Sequence, residues 1–244
     1  MKLSVIGSSG TFPTAGHPGS GFLIEQGRTR VWCDTGPGTF VALPVDPDLV
    51  DAIVISHQHP DHCLDLVTAF HAFRYRPQPR EAIPLYGPQS LFDRVAAFVG
   101  NPEFEKTFDV QAQSGGDRLE IGELQVHFAW SDHSVPTLAS RWEANDKVLA
   151  YSADTGPGGD WATIALDADL FLCEASYQGS LDDYAYKYHL TAAAAGSIAR
   201  SQRVKRLMLT HIPPYLDKTV SVKEAEETFD RPVELAVPGL SRKI

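Results

Sequence analysis

Short apolar runs, separated by turns of glycine, proline and polar residues, predict β-strands along the first half of the chain. A strand over residues 1–7 leads into a loop rich in Gly, Pro and Ser over residues 8–21. The other strands predicted here are a hairpin over residues 22–24 and 31–33, a buried strand over 49–56 and a short strand over 83–86. Apolar residues at helical spacing predict amphipathic helices over residues 63–76 and 89–99.

The second half of the chain alternates strands and helices in the same way. Its predicted strands cover residues 108–110, 119–121, 124–128, 170–173, 206–210 and 233–237. A hairpin is predicted over residues 138–153 with Asn145-Asp146 at its turn, and helices over 191–201 and 222–229. In each half one apolar strand ends on a histidine, at His57 and at His211. This pattern favours an α/β fold in which two sheets pack together with helices outside.

The composition supports a packed core and predicts a protein of the cytoplasm. Of the 244 residues, 43% are hydrophobic and 10% aromatic, which argues against disorder, and we expect one domain over residues 1–244. No apolar run approaches the length of a membrane span, and the N-terminal segment lacks the features of a signal peptide. The cysteines form no CxxC pair, so we expect reduced, buried thiols at Cys33, Cys63 and Cys173.

The formal net charge of −10 weighs against nucleic acid as a partner. Binding to a phosphate backbone depends on Lys and Arg side chains, and a uniformly acidic surface opposes it. A local basic patch remains compatible with this charge, and bound cations would offset part of the acidic excess.

The strongest chemical signal is a cluster of histidines and one aspartate directly after a predicted strand. Residues 56–62 are Ser-His-Gln-His-Pro-Asp-His, so His57, His59, Asp61 and His62 lie within six positions. Imidazole and carboxylate groups are ligands for zinc and similar divalent ions, and a metal would compensate for crowding them at a strand end. With nine histidines in 244 residues, a polar loop that has this spacing by chance is the weaker interpretation.

Three more candidate ligands lie at the predicted ends of later strands. They are His133, Asp154 and His211. Each alone is a weak signal, because a single histidine after a strand is usually structural. Together with the first cluster they would complete two coordination spheres.

The HxHxDH motif and the segments that follow it resemble the metallo-β-lactamase superfamily, and most closely its branch of ribonuclease Z-like enzymes and cyclic-nucleotide phosphodiesterases. The resemblance extends over nearly the whole chain, and the other segments that carry it are residues 7–10, 33–36, 174–176, 189–191 and 210–214. It implies an αββα sandwich of two mixed β-sheets flanked by helices, with the metals between the sheet edges.

The resemblance also implies two divalent ions, with zinc as the expected metal and manganese or iron as alternatives. One ion would be held by His57, His59 and His133, the other by Asp61, His62 and His211, and Asp154 would bridge them. Many relatives have glycine where this chain has Asp65 and Ala153. Neither departure removes a ligand, but both leave the geometry of the ligand loops open.

Such a site predicts hydrolysis. Two metal ions about 3.5–4 Å apart can bind a hydroxide between them and contact both the attacking and the leaving oxygen. Asp61 is expected to orient the hydroxide in addition to binding metal. His189 resembles the histidine that relatives place near the leaving oxygen, where proton donation would contribute about 10²–10⁴-fold. A cap for the helix predicted from residue 191 is an equally open role for His189.

Other residues bear on the substrate or on the support of the ligands. Asp34, in an Asp-Thr-Gly segment at a strand end, is expected to orient the ligand loops. The segment before His189 favours a wall that stacks on a nucleobase, with loop packing as the alternative; its tyrosines are Tyr177, Tyr184, Tyr186 and Tyr188. We expect one arginine cluster to be solvated rather than to bind phosphate; it comprises Arg74, Arg76 and Arg80. Three histidines match no ligand segment; they are His17, His71 and His127.

The leading hypothesis is a metal-dependent phosphodiesterase that cleaves a small phosphodiester such as a cyclic nucleotide. The main alternative is a ribonuclease Z-type endonuclease that trims tRNA 3′ ends, and a hydrolase of lactones, thioesters or β-lactams is a third. A non-catalytic, metal-dependent binding protein would be expected to lack ligands, and this chain lacks none. Dimers are common among the relatives, so a homodimer is an open expectation.

A tRNA substrate is disfavoured by the short segment between His133 and Asp154. Relatives that process tRNA commonly carry a protruding arm there, whereas here twenty residues intervene and the predicted hairpin uses them. The segment offers only Arg141 and Lys147 as bases, and a tRNA needs several phosphate contacts over a long surface.

Overall fold

The computed structural model describes residues 1–78 and 80–244, and these ranges contain fourteen β-strands and seven α-helices. The strands are β1 (Lys2–Gly7), β2 (Gly21–Gln26), β3 (Thr29–Cys33), β4 (Ala52–Val54), β5 (Ile83–Gly87), β6 (Phe108–Ala112), β7 (Arg118–Ile121), β8 (Leu124–Trp130), β9 (Leu138–Ala144), β10 (Lys147–Tyr151), β11 (Leu170–Glu174), β12 (Leu207–Thr210), β13 (Val233–Leu235) and β14 (Ser241–Lys243). The helices are α1 (Pro60–Cys63), α2 (Asp65–Arg74), α3 (Gln89–Val99), α4 (Phe104–Thr107), α5 (Trp161–Ile164), α6 (Ala192–Ser201) and α7 (Lys218–Phe229).

The strands form two mixed sheets of seven strands each. The first sheet has the order β14-β1-β2-β3-β4-β5-β6, and the second has the order β13-β12-β11-β10-β9-β8-β7. In the first sheet the pairs from β3 to β6 are parallel and the others antiparallel. In the second sheet the pairs from β10 to β13 are parallel and the others antiparallel. The two halves of the chain therefore build sheets of closely similar design.

Apolar side chains that alternate along the strands fill three layers. Phe22 of β2 faces the layer between the two sheets, where Trp142 of β9 also lies. Leu23 of β2 faces the opposite layer, which the first sheet forms with α2, α3 and α4. Phe171 of β11 lies in a third layer, between the second sheet and the helices α5, α6 and α7. Helices thus cover the outer faces of both sheets, which confirms the predicted αββα sandwich.

Two predicted elements near the ligand motif are shorter or divided. The strand predicted over residues 49–56 is observed only over Ala52–Val54, because Pro47–Leu49 forms a 3₁₀ turn that Asp46 caps. The helix predicted over residues 63–76 is two helices, α1 and α2, which meet at Leu64. The motif itself therefore begins a helix rather than remaining a loop.

The remaining differences concern the ends of elements and very short ones. The last helix begins at Lys218 rather than at residue 222, because the Asp217 carboxylate accepts a hydrogen bond from Thr219 N–H at 2.9 Å. The elements α4, α5 and β14 were not predicted. The turn at Asn145-Asp146 is confirmed, and both residues adopt the positive φ that a tight hairpin requires, +50° and +57°.

Across the described ranges, no helix combines the length and the apolar character needed to cross a membrane.

Candidate metal centre

The first four candidate ligands lie where β4 ends and α1 begins. His57 and His62 are fully buried, Asp61 is buried, and His59 is half-buried. Pro60 occupies the first helical position, where its missing N–H would have no intrahelical partner. The turn into α1 returns His62 to His57, and their ring centroids lie 4.2 Å apart.

The other three candidate ligands follow strands of the second sheet. His133 comes after β8, Asp154 after β10 and His211 after β12. Because β10, β11 and β12 are parallel, their carboxyl ends meet at one edge of the sheet. The structure therefore brings together all seven residues that the sequence indicated.

The loops that carry these ligands contain non-glycine residues in the left-handed region. Ala153 has φ +50° and His211 has φ +57°. This conformation costs a non-glycine residue roughly 1–2 kcal/mol, and a glycine adopts it without that cost. Ala153, one of the two departures from the expected family pattern, therefore adopts a conformation that glycine would take at lower cost, and Asp154 still reaches the cluster. At the other departure, Asp65 accepts a hydrogen bond from Phe40 N–H at 2.8 Å and ties α2 to the neighbouring loop.

The seven side chains form two groups that share Asp154. We call His57, His59, His133 and Asp154 the outer cluster, and Asp61, His62, Asp154 and His211 the inner cluster. The ligand atoms of each cluster lie within 4.8 Å of one another. Every residue of the inner cluster is buried, whereas His59 and His133 of the outer cluster are half-buried.

The two carboxylate oxygens of Asp154 face different clusters. Oδ2 lies 3.7 Å from His57 Nε2 and 3.9 Å from His133 Nε2. Oδ1 lies 3.1 Å from His62 Nε2 and 3.4 Å from His211 Nε2. This division is the arrangement expected of a carboxylate that bridges two ions.

The donor set fits divalent ions. His57 Nε2 and Asp154 Oδ1 are buried without a hydrogen-bond partner among the described residues, and leaving such atoms unpaired is costly. Burial lowers the pKa of His57, His59 and His133, so these rings are neutral at pH 7, which is the state that binds metal. His59 Nδ1 and His133 Nε2 face each other at 3.2 Å, as two nitrogens would around one ion.

Asp34 supports the inner cluster from behind, as the sequence predicted. Its Oδ2 accepts a hydrogen bond from His62 Nδ1 at 2.8 Å, which leaves His62 Nε2 free to face the cluster. Ser56 adds two hydrogen bonds to the same carboxylate, from its backbone N–H at 2.7 Å and from its hydroxyl at 3.0 Å. On the other side, Ser176 Oγ lies 2.9 Å from His211 Nδ1 and orients that ring.

Asp61 is placed both to bind metal and to orient a reactant. Its Oδ2 accepts a hydrogen bond from Thr11 N–H at 2.9 Å and lies 3.1 Å from His211 Nε2. Burial opposes ionisation, but His62 and His211 outweigh it and lower the pKa of Asp61. Asp61 is therefore a carboxylate at neutral pH.

His189 forms a pair with Glu174, which the sequence analysis had not assigned to the site. His189 Nδ1 lies 2.9 Å from Glu174 Oε1, and its ring centroid is 5.2 Å from that of His133. Burial lowers the pKa of His189, but the Glu174 carboxylate outweighs it and raises the pKa to about 9. The capping role considered for His189 is wrong, because Thr191 caps α6 by accepting a hydrogen bond from Ala194 N–H. The only sequence signal for Glu174 was its place in a segment that carried the family resemblance.

The tyrosine segment divides into packed and exposed residues. Tyr177 and Tyr184 stack on each other with centroids 3.8 Å apart, so packing accounts for this pair. Tyr186 and Tyr188 are exposed, and the Tyr188 carbonyl lies 3.0 Å from His133 Nδ1. Only these two remain available as a wall for a substrate.

The arginines at the end of α2 and after it pair with surface groups, as expected. Arg76 contacts Asp48, and Arg74 lies 3.4 Å from Glu103. Arg80 donates to the carbonyls of Pro47 and Val50. None of these contacts involves either metal cluster.

The three cysteines are free and buried, as predicted. The Cys63 thiol lies 3.5 Å from the Gln58 carbonyl, and burial raises its pKa to about 12. Cys63 is thus a neutral packing group next to His62.

Comparison with known protein sequences identifies relatives over the whole chain. The profile of a family described as Beta-lactamase superfamily domain matches residues 29–212. An uncharacterized protein of Mycobacterium leprae is 33% identical over 250 residues, covering 98% of this chain and 87% of the relative. The probable metallo-hydrolase YhfI of Bacillus subtilis is 27% identical over 244 residues, covering 98% of each chain. A ribonuclease Z of Methanothermobacter thermautotrophicus is 25% identical, covering 92% of this chain and 91% of the relative.

Solved structures share the fold. The crystal structure of the metallo-β-lactamase fold protein YhfI superposes with a TM-score of 0.89 at 24% identity and covers 99% of each chain. A diphosphatase of the PhnP family superposes with a TM-score of 0.76 at 18% identity, covering 100% of this chain and 97% of that one. The predicted metallo-β-lactamase sandwich is confirmed by these likenesses.

Proposed function

Because the chain belongs to the β-lactamase superfamily of metallo-hydrolases, we propose that it is a phosphodiesterase with two metal ions that cleaves a small phosphodiester such as a cyclic nucleotide. The observation that carries this proposal is the division of Asp154, whose two oxygens face two complete sets of ligands. Divalent ions bound there, for which zinc is our first choice, would withdraw charge from the phosphoryl group and lower the pKa of water toward about 7.

Two side chains of the site would handle protons. The ionised Asp61 carboxylate is held by Thr11 N–H and would accept a hydrogen bond from the attacking water. His189 gives one ring nitrogen to Glu174, which leaves Nε2 free to donate a proton to the leaving oxygen. The carboxylate partner keeps His189 protonated at neutral pH, which is the state a general acid requires.

Relatives and local geometry support a phosphodiester as the substrate. The names ribonuclease Z and diphosphatase denote proteins that cleave phosphate linkages. The exposed ring of Tyr188 lies 6.3 Å from that of His133, where the planar base of a nucleotide could stack.

The segment between His133 and Asp154 supports a small substrate. It forms the hairpin β9–β10 within the second sheet, closed by a two-residue turn. Arg141 contacts Glu143 and the carbonyls of Ile164 and Leu166, and Lys147 contacts Asp169. Both bases of this segment are therefore engaged in the fold rather than arranged on an arm.

A substrate panel tests the proposal. Metal-stripped protein is reloaded with two equivalents of Zn²⁺ or Mn²⁺ and assayed in parallel with cyclic AMP, a precursor tRNA, a lactone and a β-lactam. We expect hydrolysis of cyclic AMP to a nucleoside monophosphate, and Asp154→Asn protein should be inactive in the same assay. Site-specific 3′ cleavage of the tRNA without hydrolysis of cyclic AMP would contradict the proposal and favour a tRNA endonuclease.

A further inference from the structure

A buried tyrosine of the second sheet contacts the carboxylate that supports the inner cluster. Tyr151 Oη donates a hydrogen bond to Asp34 Oδ2 at 2.7 Å. Tyr151 is 3% exposed and Asp34 is fully buried. Burial and the Asp34 charge raise the pKa of Tyr151 far above its ordinary range, so the hydroxyl remains a proton donor.

The Asp34 carboxylate receives hydrogen bonds from both halves of the molecule. Two come from Ser56 and one from His62, all in the segment that follows β4 of the first sheet. The fourth comes from Tyr151, at the end of β10 in the second sheet. The hydrogen bond from Tyr151 to Asp34 thus joins the two sheets, across 117 positions of sequence.

Tyr151 also belongs to the segment that delivers the bridging carboxylate. It lies three positions before Asp154, and its ring packs edge-on against Phe22 of β2 with centroids 5.3 Å apart. One end of β10 therefore provides Asp154 to the cluster and, through Tyr151, contacts the residue that holds His62.

Both clusters take ligands from both halves of the chain, but the inner cluster has a ligand, His62, whose ring is held by Asp34 itself. Asp61 and His62 follow β4, whereas Asp154 and His211 follow β10 and β12. Packing of apolar side chains between the sheets is non-directional, but metal–ligand distances must hold to about 0.2 Å. A directional hydrogen bond between the halves restrains the relative position of the ligands, which apolar packing alone would not restrain.

We propose that Tyr151 is a positioning residue that holds the two halves in register at the inner cluster and thereby sets the affinity of that cluster for its metal ion. The inference rests on the two-metal site of the proposed function but not on the identity of the substrate.

The test is a metal titration of Tyr151→Phe, which keeps the ring against Phe22 and removes only the hydroxyl. Metal-stripped protein is titrated with Co²⁺, followed by visible absorption, and with Zn²⁺ in competition with a chromophoric chelator. Replacing groups behind metal ligands typically costs about 10–100-fold in affinity, and we expect about tenfold here because Asp34 keeps its other donors. The inner cluster should weaken and the outer cluster should not.

Reference variants assign the titration steps to the clusters. His59→Ala leaves the inner cluster intact, and His211→Ala leaves the outer cluster intact, so each remaining step identifies one site. Ser140→Ala is the matched control, because Ser140 pairs with Tyr151 across β9 and β10 and its buried hydroxyl accepts from Trp142 Nε1 at 2.9 Å. This control should lower the melting temperature without changing either affinity.

Three outcomes would overturn the inference: unchanged affinities in Tyr151→Phe, equal weakening of both clusters, or weakening of the outer cluster alone. If Tyr151→Phe does not fold, 4-aminophenylalanine at position 151 keeps a donor of similar shape. Its inner affinity should lie near that of the natural protein, and a full loss in this folded variant would also overturn the inference. Failure of the natural protein to bind a second ion would instead contradict the proposed function.

Discussion

The inner and outer clusters share Asp154 but differ in their surroundings. All four residues of the inner cluster are buried. In the outer cluster His59 is partly open to solvent, whereas the side chains of His133 and Asp154 are 2% and 3% exposed. The same carboxylate therefore faces a closed environment through one oxygen and a more open one through the other.

The clusters also differ in how the fold holds their ligands. In the inner cluster, side chains from other parts of the fold orient the rings, since His62 contacts Asp34 at 2.8 Å and His211 contacts Ser176 at 2.9 Å. In the outer cluster, His57 Nδ1 lies 3.0 Å from Ser56 Oγ, but the other two rings have less support. His133 Nδ1 lies 3.0 Å from the carbonyl of Tyr188, and His59 faces His133 itself. Side chains that are already held in place lose less conformational freedom when they bind a metal ion, which favours binding at the inner cluster.

This difference suggests a division of labour. We propose that the inner cluster holds one ion tightly and that the outer cluster admits a substrate beside a second ion. His189 lies next to both, with its ring 5.2 Å from that of His133 and 5.7 Å from that of His211.

The largest effect should come from the residue that both clusters share. Asp154→Asn keeps the shape of the side chain and removes its charge, so we expect fewer than two bound ions. Turnover should fall by more than about 100-fold, because mutating even the groups that support metal ligands lowers metal affinity or activity by about 10–100-fold. Elemental analysis and initial rates measure both. Asp132→Asn is the control, since this exposed carboxylate accepts from Gly158 N–H and an amide oxygen can replace it. Two tightly bound ions in Asp154→Asn would contradict the shared role.

A second large effect on turnover is expected at His189, which lies near both clusters but belongs to neither. His189→Ala should keep both ions and lose about 10²–10⁴-fold in turnover with alkoxide leaving groups, because proton donation is lost. With p-nitrophenolate, which leaves without a proton, the loss should be much smaller. Equal losses across a series of leaving groups would exclude the general-acid role.

The Glu174 carboxylate accounts for the protonation of His189 and can be tested separately. In Glu174→Gln an acceptor is retained but the negative charge is removed. The pKa of His189 should then fall from about 9 to its ordinary range or below, because burial alone favours the neutral ring. An NMR titration of the imidazole in metal-free protein measures this shift. An unchanged pKa would mean that another group holds the proton.

The sequence predicted the ligands of the two clusters better than their supports. His57, His59, Asp61 and His62 are adjacent in the chain, so their chemistry is visible as one motif. The later ligands, such as His211, were indicated by strand ends and by the family resemblance. Tyr151 carries no such signal, because it lies 117 positions from Asp34 and only the packing of the two sheets brings them together.

Secondary structure followed the same rule. Strands with apolar runs on both faces, such as β11, were predicted because their pattern is strong. The strand β14 has the sequence Ser-Arg-Lys and no apolar alternation, and it exists through its pairing with β1. The packing of Tyr184 on Tyr177 was not predicted, because it depends on a loop conformation that composition does not specify.

The comparison of the clusters predicts unequal metal affinities. A titration of metal-stripped protein should show two steps, with the inner cluster tighter by about tenfold or more, because its ligands are held by side chains behind them. His211→Ala should remove the tighter step and His59→Ala the weaker one. A single step of two equal ions, or the reverse assignment, would show that burial and support do not rank these sites.

The smallest effect is expected at the open side of the outer cluster, where substrate binding rather than metal binding is at stake. Tyr188 is 43% exposed, and its contact to His133 is made by the backbone carbonyl, so a new side chain leaves that contact in place. Stacking on one base contributes about 1–3 kcal/mol. Tyr188→Leu should therefore raise KM for cyclic AMP by about tenfold, which corresponds to about 1.4 kcal/mol, and leave kcat nearly unchanged. Ribose cyclic phosphate, which has no base, should show no such change.

Tyr184→Leu is the matched variant on the packed side, where it removes the stack on Tyr177. It should lower the melting temperature and have little effect on KM. If Tyr184→Leu raises KM for cyclic AMP and Tyr188→Leu does not, the base is not bound at the open side of the outer cluster.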